Sequence, residues 1–160
     1  MSITTGQTLS IRASTLGEYE IAPDEIVPGL YLGNAENAYN DVHLSALGVT
    51  HILNTAKQAE NRHEDKFKYL KISLIDSDEE DLSPHFEKAI AFIDEALKTG
   101  KILVHCMSGM SRSASMVGAW LMKRHGMTFE RALEEMQEKR PIVDPNEGFR
   151  DQLAQYEKEL

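Results

Sequence analysis

Two apolar periods alternate along the chain, and the switches between them outline its elements. Residues 1–20 hold few apolar positions among Ser, Thr and Gly, which predicts a flexible N-terminal arm over 1–24 and a folded unit over 25–160. From Glu25 the pattern tightens. Ile26-Val27 and Leu30-Tyr31-Leu32 flank Pro28-Gly29, reading as two short strands around a turn. A short helix is expected over Ala38–Leu47, stopped by Gly48. Val49–Leu53 and Tyr69–Leu74 then read as strands, separated by a patternless polar loop from Lys57 to Lys66.

The helical period dominates the second half. Ser83-Pro84 is a candidate N-cap followed by proline at the first helical position. Phe86, Ile90, Ile93 and Leu97 share one face of the helix that follows, and Gly100 ends it. Ile102-Leu103-Val104 is a continuous apolar strand of the kind buried on both faces. After Ser111 comes a helix apolar almost all round, ended by Gly126, then one from a Thr128 cap towards Arg140-Pro141. The last helix carries Phe149, Leu153, Tyr156 and Leu160 on one face, with Asn146 as its N-cap. Strands alternating with helices predict an α/β single domain with a central, largely parallel sheet flanked by helices.

Composition narrows the chemistry. Of 160 residues, 41% are hydrophobic and 27% charged, the balance of an ordinary globular domain. A net charge of −9 gives little long-range attraction for nucleic acid or anionic membrane, so neither is expected as a partner. No apolar run approaches the roughly 20 residues that cross a bilayer. No basic-then-apolar leader opens the sequence, and Ser2 stands where myristoylation needs glycine, so a cytoplasmic address, or a nuclear one, is the expectation. The single cysteine, Cys106, excludes an internal disulfide and a multi-thiolate metal site. The His residues show no metal-ligand spacing, so neither metal nor cofactor is expected.

The informative stretch is Lys101 to Ser113. A buried strand ends at His105, Cys106 follows, and Met107, Ser108, Gly109, Met110 and Ser111 lead to Arg112 at a helix start. Strand, loop and helix N-terminus together make an anion cradle lined by main-chain amides. Inward amides and a guanidinium favour the thiolate of a cysteine at its rim. That is a nucleophile beneath the central atom of a bound oxyanion. Arg112 offers a planar fork for two phosphate oxygens, and Ser113 a hydrogen bond to the sulfur. His105 is expected to brace the loop rather than transfer protons. A proton donor for the leaving oxygen belongs among the acids of Asp76-Ser77-Asp78-Glu79-Glu80-Asp81, and periodicity does not choose among them.

The string from His105 to Ser113 resembles the signature of the cysteine-dependent dual-specificity protein phosphatases. Ile26 to Gly33 resembles that family's opening segment, His51 to Asn54 its next strand, and Pro145-Asn146-Glu147-Gly148-Phe149 the turn before its last helix. The resemblance spans about residues 25 to 160 and is to the small, atypical members. It implies a protein-tyrosine-phosphatase-like fold and phosphoprotein substrates. It also implies Cys106 as nucleophile, Arg112 and the loop from Met107 as phosphate-binding, and Asp76 as general acid and base. The family's acid lies six residues before the Leu82-Ser83 pair, with Asp78 as the fallback.

Other readings stay in competition. Phosphatases of phosphoinositides or RNA ends often place lysine or arginine inside the loop, whereas the variable positions here are neutral. A binding module without turnover typically loses the nucleophile or the arginine, and both are present. A rhodanese-like sulfur transferase shares the loop after a strand but not the order of acid, helix and signature.

Overall fold

The computed structural model describes residues 11–13 and 19–160. Most of the expected arm lies outside the described residues. Within it, β1 (Ile11–Ala13) pairs antiparallel with β2 (Tyr19–Ile21).

The turn expected at Pro28-Gly29 joins β3 (Asp24–Val27) to β4 (Leu30–Gly33). The single helix expected over Ala38–Leu47 is instead two, α1 (Ala35–Tyr39) and α2 (Asp41–Leu47). Asparagines cause the break. Asn34 and Asn37 form a capping box on α1. Asn40 then turns its side-chain oxygen to the His43 amide at 3.1 Å and starts a new helix. Strands β5 (Val49–Ala56) and β6 (Lys68–Leu74) follow, the former three residues longer than the apolar run suggests.

The expected cap at Ser83 is also corrected. Ser83–His85 forms a 3-10 turn, and α3 (Phe86–Thr99) begins after it. Asp81 Oδ1 accepts both the amide and the hydroxyl of Ser83, at 3.2 and 3.1 Å, so that hydroxyl caps nothing. Then come β7 (Lys101–His105), α4 (Arg112–His125), α5 (Phe129–Lys139) and α6 (Glu147–Glu159). Thr128 and Asn146 cap α5 and α6 as expected. Leu160 does not join the buried face of Phe149, Leu153 and Tyr156: it lies beyond the helix and is exposed.

Five strands form one sheet in the order β3-β4-β7-β5-β6, parallel except for the β3–β4 hairpin. The pleat sorts the apolar strands onto two faces. Leu30, Leu32, Ile102 and Val104 join the larger core under α3 to α6, whereas Tyr31 and Leu103 face α1 and α2. Helix α4 packs against the sheet, α3, α5 and α6, which is why it is apolar all round and buried from Arg112 to Met122. Central strand and central helix meet at the loop from Cys106 to Ser111. Among the described residues no helix is long and apolar enough to cross a membrane.

Candidate active site

The loop backbone is held from outside, carbonyl by carbonyl. The Cys106 carbonyl accepts from His105 Nδ1 at 3.0 Å, and that of Met107 from the Ala35 amide at 3.1 Å. Arg140 serves the next two: Nη2 donates to Ser108 at 2.9 Å and Nε to Gly109 at 3.0 Å. The Met110 carbonyl accepts the Asp144 amide at 2.8 Å, and that of Ser111 the Ser115 amide at 2.9 Å. With every carbonyl from Cys106 to Ser111 engaged by a donor elsewhere, none competes for the centre of the loop, where the Gly109 amide meets Cys106 Sγ. This is an anion cradle formed before any anion arrives. The side chains of Met107 and Met110 stand exposed at its rim.

Cys106 lies at the floor, 1% exposed. Its Sγ is 3.1 Å from Ser113 Oγ and accepts the Gly109 amide at 3.2 Å. Burial pushes the thiol up. The Ser113 hydroxyl, the Ser113 and Gly109 amides and the charge of Arg112 together outweigh that, and it ends below its ordinary value. His105 is buried, and desolvation drives its imidazole down to about 4, so the ring that braces Cys106 is neutral.

Arg112 is 5% exposed yet makes no ion pair among the described residues. Its Nη1 is anchored by Gln58 Oε1 at 2.8 Å and the Leu74 carbonyl at 3.0 Å. The buried Nε has no partner among the described residues. A guanidinium fixed at one corner and unsatisfied at another is prepared for an anion's oxygens.

The acidic segment runs on from β6. Asp76 Oδ1 accepts the side-chain amide of Asn146 at 2.9 Å, and Asp78 Oδ1 accepts the Gly148 amide at 3.3 Å. Leu74, two residues before Asp76, holds Arg112, so this segment borders the cradle. Ser111 Oγ accepts the Asn146 amide at 3.0 Å. Cys106, Arg112, Ser113, His105 and the loop residues are thus brought together, and Asp76 is linked to them through Asn146. Among the described residues no three His, Cys, Asp or Glu side chains cluster as a metal site.

Three participants escaped the sequence reading. Arg140 looked like the end of a helix, Gln58 like part of a polar loop, and Asn146 like a cap and nothing more. Only the Pro145–Phe149 string carried any signal, by resemblance.

The family model for the catalytic domain of dual specificity phosphatases matches residues 30–159. The chain belongs to the dual-specificity phosphatase family. It is 42% identical over 139 residues to dual specificity protein phosphatase 1 of Arabidopsis thaliana, covering 86% of this chain and 70% of that protein. It is 44% identical over 139 residues to MAP kinase phosphatase with leucine-rich repeats protein 3 of Dictyostelium discoideum. There the match covers 86% of this chain but only 16% of the relative, so the chain spans a small part of that protein's length. The crystal structure of DUSP15 superposes with a TM-score of 0.81 at 35% identity, covering 85% of this chain and 87% of the other. The dual-specificity phosphatase domain described here is therefore a protein-tyrosine-phosphatase-like α/β domain of a cysteine-dependent phosphatase.

Proposed function

We propose that this domain hydrolyses phosphotyrosine, and phosphoserine and phosphothreonine, on protein substrates through a phosphocysteine on Cys106. The observation that carries the reading is the preformed cradle with a thiol below its ordinary value at its floor. A phosphoryl group bound to the loop amides and to Arg112 presents its phosphorus to Sγ. The sulfur's electron pair forms the S–P bond as the P–O bond to the side chain breaks, and Asp76 gives its proton to the departing oxygen. Asp76, now a carboxylate, takes a proton from water. The water oxygen attacks phosphorus, the P–S bond breaks, and inorganic phosphate leaves with the thiolate restored. Ser113 hydrogen-bonds the sulfur as it leaves. Arg112 and the amides meet the equatorial oxygens in both steps, so catalysis rests on preorganised electrostatics.

The neutral side chains of Met107, Ser108, Met110 and Ser111 and the net charge of −9 favour a phosphoprotein over a polyanionic phosphoinositide or RNA end. A reducing compartment, cytosol or nucleus, suits a catalysis that depends on one free thiol.

The test is turnover of an aryl phosphate and of phosphotyrosine and phosphothreonine peptides, by the parent and by Cys106→Ser, without added metal. Turnover confined to the parent, with phosphate trapped on Cys106 after acid quench, is expected. Tight peptide binding by both proteins without turnover would make this a phosphoprotein-binding module instead.

A further inference from the structure

Beyond the intrahelical bond that its carbonyl accepts from the Arg150 amide, Asn146 makes three hydrogen bonds to three different groups. Its side-chain oxygen accepts the Phe149 amide at 2.8 Å, which caps α6. Its main-chain amide donates to Ser111 Oγ, on the phosphate cradle, at 3.0 Å. Its side-chain amide donates to Asp76 Oδ1 at 2.9 Å. The cap alone would satisfy a helix start; the other two bonds join the cradle to the acid across a single residue.

The neighbourhood reinforces the link. The Asp144 amide holds the Met110 carbonyl, so the segment entering Asn146 is fastened to the cradle at Met110 and at Ser111. The acidic segment is fastened to α6 in turn. Gln152 accepts the Leu82 amide and donates to the Glu80 carbonyl, both at 2.7 Å. Gly148 sits so close beneath the segment that a methyl group there would collide with the Asp78 carbonyl. Both ends of the Asp76-to-Leu82 segment therefore rest on the first turns of α6.

From these bonds we propose that Asn146 is a positioning residue that sets the separation between the phosphorylated sulfur and the general acid. The proposal rests on the phosphocysteine reading above. With Oδ1 held by Asn146, Oδ2 of Asp76 is the oxygen left to carry the proton to the leaving group. General acid catalysis requires that oxygen within hydrogen-bond reach of the leaving atom, and misplacement of an ångström is costly. Asn146 donates to Asp76 without touching substrate, so its effect runs through the acid.

Leaving-group chemistry separates this role from a structural one. An acidic phenol departs without protonation, whereas tyrosine needs the acid. Serine preserves the helix cap and the main-chain amide but removes the side-chain amide that holds Asp76. Asn146→Ser is expected to lower kcat/KM on a phosphotyrosine peptide by at least about tenfold more than on a difluorinated aryl phosphate. Gly148→Ala, which displaces the same segment, should give the same signature. In an Asp76→Asn background, Asn146→Ser should add less than about a twofold further loss, because the two act through one proton. Equal losses on both substrates, or losses that add fully to those of Asp76→Asn, would overturn the proposal. Failure of the parent to turn over even the difluorinated substrate would instead overturn the hydrolase reading itself.

Discussion

Arg140 and Asp24, 116 residues apart, form a buried ion pair with Nη1 2.9 Å from Oδ2. The other two nitrogens of the same guanidinium donate to the carbonyls of Ser108 and Gly109. Burial pushes the Asp24 carboxyl up, and Arg140 opposes that push. The pair places a planar fork behind the cradle, where its charge is compensated and its geometry decides which way two peptide planes face.

Removing one partner leaves the other buried and alone. Arg140→Ala is expected to lower unfolding stability by about 3–5 kcal/mol, read from urea denaturation. Arg140→Lys keeps the charge but not the fork that spans both carbonyls, so kcat/KM should fall while the protein stays folded. Full activity in that variant would show that the cradle keeps its shape unaided.

Gly109 has φ 74°, in the left-handed region. A Cβ there would lie 2.5 Å from Arg140 Nη2 and 2.6 Å from the Gly33 carbonyl oxygen. Gly109→Ala should therefore strain the backbone and dislodge Arg140 together, at a cost of about 1–3 kcal/mol for the dihedral alone. Loss of turnover and a lower melting temperature are the expected readouts. A variant with parent-like activity would mean that the loop has another low-energy shape.

Ser113 stabilises the Cys106 thiolate at 3.1 Å. Alkylation of Cys106 by iodoacetamide should titrate below the ordinary thiol range, and Ser113→Ala should move that midpoint upward. In the proposed mechanism the same sulfur is the leaving group of the second step, so the variant should accumulate phosphoenzyme and show a burst in rapid quench. An unmoved midpoint would remove Ser113 from this role.

His105 stays neutral in the native protein down to about pH 4, while the unfolded chain protonates it near 6.5. Between those values the unfolded state binds the additional proton. Stability is full above 6.5 and falls as pH drops towards about 4, by about 3 kcal/mol at most from this group. Denaturation midpoints of the parent and of His105→Asn, which keeps a donor for the Cys106 carbonyl, should converge over that interval. Parallel curves would mean that the native ring protonates freely.

The elements were largely legible because neighbours in sequence decide them. Periodicity located β7, α3 and α4. Where local polar groups compete with the helix, as at Asn40 and Ser83, a propensity reading passes over the break, since a side chain's choice between solvent and backbone leaves no mark on apolar spacing.

The strand, loop and helix start that hold Cys106, Arg112 and Ser113 lie within thirteen consecutive residues, so the sequence by itself determined that the thiol, the loop and the guanidinium share one site. The pairing of Arg140 with Asp24, of Gln58 with Arg112 and of Asn146 with Asp76 spans 116, 54 and 70 residues. Such partners are selected by distance in space after the sheet order and helix packing are set. A buried polar group must find whatever donor or acceptor the fold brings to it, and only the tertiary structure decided which.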